Sequence, residues 1–327
     1  MREAAGAGGG APAPFEKVGP HEQANKVLWP RTRRVTASSP SLVRRIARKA
    51  AGLLPPAALR RLAAYRFGYT QEGRRFEFVE DVGPGGPAVL IDGRLGLRST
   101  PEFLPDLRFH FVDNGQSRDE IGAFLDIAPG LPPGAVLFDV GAHRGLFSLV
   151  HCALSPDRRA VLFEPSPSLA EDARGLLALN GFEGRAEVRT CGIGDRAGRR
   201  RIVEDALGFA IEAPDGSAGG KPTEFSTIDD EWRRTGVAPS IVKIDVEGAE
   251  AEVVRGAVAL LREARPVVFL ELHMDELERR GESAGALLAQ LTAAGYRFTD
   301  PGGRRRSTRS LTDSLRAIVR IVAIAAK

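Results

Sequence analysis

Residues 136–154 read VLFDVGAHRGLFSLVHCAL. A short apolar run, Val136–Val140, ends in the turn Gly141-Ala142-His143-Arg144-Gly145, and Leu146–Leu154 continues at helical spacing. A strand that enters a glycine turn and leaves as a helix opens a doubly wound α/β sheet. In such sheets ligands bind over the carboxyl ends of the strands. The glycines let a ligand approach the backbone, and the helix N-terminal amides face it. The spacing here is Gly-x-x-x-Gly, not the Gly-x-Gly-x-x-Gly of a dinucleotide site, which disfavours a hydride-transferring dehydrogenase.

Alternation continues outward from this turn. Strand composition recurs at 160–164, 186–190, 241–245, 266–272 and 296–299. Helical patterns fill 168–180, 227–234, 249–263 and 283–294, and Asn180-Gly181 is a good helix stop. The pattern predicts an α/β, doubly wound, mostly parallel Rossmann-like sheet covered on both faces. The C-terminal segment 315–325 is rich in β-branched residues and reads as a last strand, with a basic amphipathic helix as the alternative. Upstream, 68–130 reads as a small β-rich and helical lead-in on the acceptor side. FEFVE, AVLIDGRLGLR and LRFHFV have strand composition, and a helix opens at Ser117 and runs to about Ile127. The main domain is expected over 131–327.

Carboxylates mark the strand tips. Asp139 stands at the end of the first strand of this domain, where a diphosphate would be repelled and the sulfonium and amino group of S-adenosylmethionine (SAM) would be welcome. Glu164 ends the next strand, 19 residues after Gly145. A carboxylate there accepts ribose hydroxyls in other doubly wound nucleoside sites. Asp245 and Glu247 end the fourth strand, and Glu271 and His273 the fifth. Lys243 interrupts an apolar strand and calls for a buried partner, with Glu271 the expected one. Methyl transfer to a hydroxyl needs alignment and a proton acceptor. Asp245, His273, Glu271 and Lys243 are therefore the candidate catalytic residues, with His273 the expected general base. Glu247 and Glu250 suit the start of the following helix. Asp245, Glu271 and His273 also carry donor types for a divalent ion, but the spacing does not require one and no metal site is assigned.

The set DVGAHRG (139–145), FEPSP (163–167), IGD (193–195), KIDVEGAE (243–250) and LELH (270–273) resembles the FkbM family of SAM-dependent methyltransferases. The resemblance covers about 130–300. It implies a class I, Rossmann-like enzyme with SAM as cofactor and O-methylation of a sugar, glycolipid or secondary-metabolite hydroxyl. By resemblance, Asp139, Gly141, Ala142, His143 and Gly145 line the methionine and glycine-loop part of the site. Glu164, with Pro165 beside it, holds the ribose, and Asp195 of the IGD turn sits near adenine. The family usually has Asn where this chain has His143.

Composition bounds the alternatives. At 43% hydrophobic and 27% charged, the 327 residues describe a globular chain. Cys152 and Cys191 alone exclude a disulfide framework or a four-thiolate zinc site. The formal charge of +4 is split. Residues 1–67 carry +10, residues 301–327 carry +6, and the body between them carries −12. An acidic body, 6% aromatics and Asp245-Val246-Glu247-Gly248 in place of an Asn-Pro-Pro-aromatic run argue against nucleic acid as a partner. A small-molecule or glycan acceptor is expected instead. Residues 1–40, rich in Ala, Gly and Pro, read as a disordered leader without an apolar h-region, and the expected location is cytoplasmic. Residues 41–67 read as a basic amphipathic segment. It either caps the acidic body or makes peripheral contact with the inner membrane face, and the cap is favoured. A catalytically silent SAM-binding scaffold, docked to membranes by its basic ends, is the rival to an enzyme. Intact Asp139, Glu164, Asp245 and His273 argue against it.

Overall fold

The computed structural model describes residues 68–71, 74–79, 88–91, 95–204, 210–212, 220–314 and 316–326. The expectations for the 1–40 leader and the 41–67 basic segment lie outside them. Four short strands, β1 (Gly68–Gln71), β2 (Arg74–Val79), β3 (Ala88–Ile91) and β4 (Leu95–Arg98), form an antiparallel meander in sequence order. The helices Leu104–Arg108 and Gly115–Ile127 follow, with a π-helical turn, Phe109–Asp113, between them.

The main sheet uses β5 (Val136–Val140), β6 (Arg159–Phe163), β7 (Ala186–Arg189), β12 (Ile241–Ile244), β13 (Val267–His273), β14 (Tyr296–Thr299), β15 (Arg305–Arg306) and β16 (Ile318–Ala325). Their order is β15-β14-β16-β13-β12-β5-β6-β7. The five strands from β13 to β7 run parallel, and β16 inserts antiparallel between β13 and β14. The order reverses at β5, so the crevice lies over its carboxyl end. Every residue of β5 is buried, as a strand covered on both faces requires.

Period-two alternation separates two cores. Phe138, Val140, Val242, Ile244, Leu270 and Leu272 face one side. Leu137, Ile241, Phe269 and Val322 face the other, against Ile121 and Phe124 of Gly115–Ile127 and Leu149 of Leu146–Leu154. Phe124 is fully buried and packs its ring at 5.3 Å from Phe147 and 5.4 Å from Phe269. On this second face each strand turns polar towards its tip: Asp139 on β5, Lys243 on β12, Glu271 and His273 on β13. Arg320 on β16 is paired with Glu271.

The helices start where short polar side chains accept from free amides. Thr227 caps Ile228–Thr235 through the Asp230 N–H at 3.0 Å, and Ser283 caps Ala284–Ala293 through Ala286 N–H at 3.3 Å. Asn114 caps Gly115–Ile127, two residues before the expected start at Ser117.

Three expectations are corrected. LRFHFV (107–112) is helical and π-helical, not a strand. Pro105 presets the first turn, and the buried Phe103, Leu107 and Phe111 recur every four residues, which is helical spacing. The 249–263 helix is two, Glu250–Arg255 and Val258–Glu263, broken at Gly256-Ala257. Residues 192–226, where no strand was expected, are in part sheet. Strands β8 (Gly192–Ile193), β9 (Gly198–Glu204), β10 (Ala210–Glu212) and β11 (Lys221–Ser226) form a second sheet in the order β10-β9-β11-β8. The charges of Gly198–Glu204, GRRRIVE, hid it: Arg199 Nε meets Glu224 across the strands at 2.5 Å, and Arg200 pairs with Glu252 and Asp195. The last strand over Ile318–Ala325 agrees with the favoured reading of 315–325.

Candidate active site

The turn after β5 holds its shape through backbone bonds. Gly141 and Ala142 N–H donate to the Phe163 carbonyl of β6 at 3.0 and 3.1 Å. Gly141 has φ +73°, and a Cβ there would lie 1.7 Å from the Asp245 carbonyl, so the tips of β5 and β12 meet only over a glycine. His143 has φ +51°, a region in which Asn and His are enriched, so His substitutes for the family's usual Asn on conformational grounds. Glu164, almost fully buried, accepts the His143 N–H at 2.8 Å and the Ser166 N–H at 2.9 Å. It thereby ties the glycine turn to the tip of β6. Asp139 accepts from the Ser148 hydroxyl at 2.7 Å and its N–H at 3.2 Å. Burial pushes its carboxyl up to about 6, against these hydrogen bonds.

A small, partly open cleft lies beside this turn. Asp139, Gly141, Ala142, His143, Lys243 and Asp245 line it, all six of them among the sequence candidates. Phe103, Asp106 and His110 close its other wall from the lead-in. Burial pushes the His110 imidazole down to about 4, so it is neutral. Arg144 clamps this wall, bonding Asp106 at 2.5 Å and Asp172 at 2.9 Å.

Lys243 is buried with Glu120 and Asp245 carboxylates each at 3.3 Å and Glu271 at 3.8 Å. Burial alone would lower its pKa. Asp245, Glu120 and Glu271 more than offset that and hold it raised. The expected Lys243–Glu271 pair is thus the longest of three. Glu271 instead takes Arg320 at 2.5 Å, and Arg320 also reaches Glu120 at 3.1 Å. Burial still pushes the Glu271 carboxyl up.

His273 closes the tip of β13. Its Nδ1 meets the fully buried Glu250 at 2.7 Å, and its Nε2 faces Glu247 at 3.3 Å and Asp245 at 3.8 Å. Burial works to lower its pKa, but Glu250, Asp245 and Glu247 together raise it to about 9. An imidazolium at neutral pH cannot accept a proton, so the general-base expectation for His273 does not fit this geometry. Asp245 is half-exposed and is held below the usual carboxylate range: burial opposes this, and Lys243 and His273 outweigh it.

Asp195 lies in the turn between β8 and β9, 3.0 Å from Arg200 and 3.7 Å from Arg255, and does not line the cleft. Gly145 precedes the helix Leu146–Leu154 at φ +78°, packed against Leu162. Pro165 follows Glu164 and also stands outside the lining, as do Glu271 and His273. The sequence reading missed Glu120, Arg320, Asp106 and His110. Only Glu120, an acidic residue among the apolar positions of a helix, carried a signal.

Residues 139–298, from the tip of β5 to β14, match the Methyltransferase FkbM domain. This stretch is similar to FkbM methyltransferases. It is similar to the methyltransferase sdnD of Sordaria araneosa, 28% identical over 164 residues, covering 40% of this chain and 63% of that one. It also matches the AMB antimetabolite synthetase AmbE of Pseudomonas aeruginosa, 43% identical over 86 residues, 26% of this chain and 4% of that one. The chain thus spans less than two thirds of either relative. Among solved structures it resembles the methyltransferase FkbM from Methylobacillus flagellatus KT, at 18% identity and TM-score 0.40, covering 67% of this chain and 52% of that one.

S-adenosylmethionine is the cofactor that the matched methyltransferase domain implies. The donor set fits it, since a cation meets the carboxylates of Asp106 and Asp139 beside a glycine turn. Among the described residues no helix is long and apolar enough to cross a membrane.

Proposed function

We propose that this enzyme transfers methyl to a hydroxyl of a sugar, glycolipid or secondary metabolite. The observation that carries the reading is Asp245. Its carboxylate lines the cleft beside the glycine turn, is held ionised by Lys243 at 3.3 Å, and stays half-exposed. Bound S-adenosylmethionine supplies an electrophilic methyl group. On this reading Asp139 and the glycine turn hold the cofactor's methionine end, and Glu164 keeps the turn in register with β6. Asp245 accepts a hydrogen bond from the acceptor hydroxyl and takes the proton it releases. A weak base suffices, because the hydroxyl becomes strongly acidic as its oxygen gains the methyl. Lys243 positions Asp245, and Phe103 and Phe147 exclude water from the cleft.

The test is incubation of the full chain with methyl-labelled S-adenosylmethionine and host extract. Label is expected in a small-molecule fraction as an ether that survives mild base. Label confined to protein or nucleic acid overturns the reading. Asp245→Asn is expected to keep the cofactor-dependent rise in melting temperature and to lose at least 100-fold in turnover.

A further inference from the structure

We propose that Asp245, Glu247 and His273 form a binding site for a divalent first-row transition metal at the tips of β12 and β13. One donor atom from each of the three lies within 4.8 Å of the others. His273 Nε2 stands 3.3 Å from Glu247 Oε2 and 3.8 Å from Asp245 Oδ1. Metal–ligand bonds of about 2.1 Å at tetrahedral angles space ligand atoms about 3.4 Å apart. The Nε2 separations are therefore already close to those around an ion. Asp245 and Glu247 are half-exposed, so side-chain rotation can close the remainder.

The histidine itself points to a ligand. The residue is only 6% exposed, and its Nε2 is aimed at the carboxylate oxygens of Glu247 and Asp245 at 3.3 and 3.8 Å. The opposite nitrogen is fixed by Glu250, wholly buried at 2.7 Å. Glu250 is itself held by the Gly248 N–H at 2.9 Å, in the turn that carries Glu247. A carboxylate on one imidazole nitrogen with ligand-type oxygens around the other is the arrangement that orients metal-binding histidines. A purely structural histidine needs one acid. This one has Glu250 on one nitrogen and the carboxylates of Glu247 and Asp245 facing the other.

Two carboxylates and one imidazole suit Mn²⁺, Fe²⁺ or Zn²⁺ better than Mg²⁺ or Ca²⁺. Three protein ligands leave positions open for an oxygen of a second molecule. Resting on the O-methyl reading above, that oxygen is the acceptor hydroxyl, held in place and made more acidic by the ion.

The experiment is a titration of the metal-stripped full chain with Mn²⁺, followed by electron paramagnetic resonance. One saturable site is expected, with imidazole-nitrogen modulation in the spin echo. Glu247→Gln should weaken binding at least tenfold, and His273→Gln should remove the nitrogen modulation. Glu250→Gln, which touches no ion, should weaken binding 10- to 100-fold. Asp313→Asn, at an exposed carboxylate, should change nothing. The melting shift with S-adenosylmethionine is read on the same samples. A wild type that shows that shift but no saturable Mn²⁺ site overturns the metal proposal and leaves the methyltransferase reading standing. Binding that survives both Glu247→Gln and His273→Gln also overturns it. Mn²⁺ binding without labelled ether supports the site and removes its assignment to the acceptor oxygen.

Discussion

Asp139 is a carboxylate placed where it destabilises the fold. It is 2% exposed, and its pKa in the folded chain is about 6 against an ordinary 3.8. The folded state therefore binds this proton more tightly than the unfolded one. Stability from this group is present below about pH 4, falls as pH rises to about 6, and stays lost above that. Asp139→Asn is isosteric and keeps a partner for Ser148. It is expected to stabilise the protein at pH 8, by at most roughly 3 kcal/mol, with the gap closing towards pH 4. Urea unfolding at several pH values checks this; a gap independent of pH would rule out the burial account. The same substitution is expected to weaken S-adenosylmethionine binding. Gly141 is the complementary case. Gly141→Ala forces a Cβ onto the Asp245 carbonyl at a positive φ, and a loss of roughly 3 kcal/mol or more in unfolding free energy is expected.

Among the elements, Gly256 sets the distance between the second sheet and the β12 crossover. A Cβ there would sit 2.1 Å from the Gly194 carbonyl, although its φ of −79° is ordinary. Gly256→Ala is therefore expected to lower the melting temperature by steric displacement alone, despite alanine's better helix propensity. A rise would show that the break is a propensity effect. This break illustrates what the sequence did not reveal. Residues 249–263 keep helical periodicity throughout, and a single glycine is tolerated inside such patterns, so nothing local announced the contact with Gly194. The strands of the main sheet were legible because burial on both faces leaves runs such as VLFDV and VVFLELH almost unbroken. Strands β9 and β11 were not, because charged residues such as Arg199, Arg200 and Glu224 interrupt their apolar pattern. LRFHFV failed for a third reason. Aromatic content favours a strand, but tertiary packing of Phe103, Leu107 and Phe111 on one helical face overrides composition.

Across the whole molecule, a buried row of charge joins segments 200 residues apart. Arg320 on the last strand reaches Gln116 and Glu120 of the lead-in at 3.1 Å each, and Glu271 of β13 at 2.5 Å. Glu120 then meets Lys243, and Lys243 meets Asp245 at the cleft. The tip residues Asp139, Lys243, Asp245 and His273 could be picked from sequence because each ends or interrupts an apolar strand. Their partners could not, because Glu120 and Arg320 meet only once the lead-in has packed on the sheet. The row makes the cleft depend on the lead-in, which supplies Phe103, Asp106 and His110. Arg320→Met leaves Glu120, Asp245 and Glu271 with Lys243 alone, and removing one partner from a buried pair costs about 3–5 kcal/mol. A destabilisation of that order is expected in denaturant unfolding, together with weaker S-adenosylmethionine binding as the wall loosens. Arg320→Lys, which keeps the charge but loses the fork, should fall between it and wild type. Glu120→Gln added to Arg320→Met should cost less than the two separately, since each removes the other's partner. An Arg320→Met protein within about 0.5 kcal/mol of wild type, the usual range for a surface change, would mean that the row adds nothing to the fold and that the lead-in is held by its apolar packing and the Arg144–Asp106 pair.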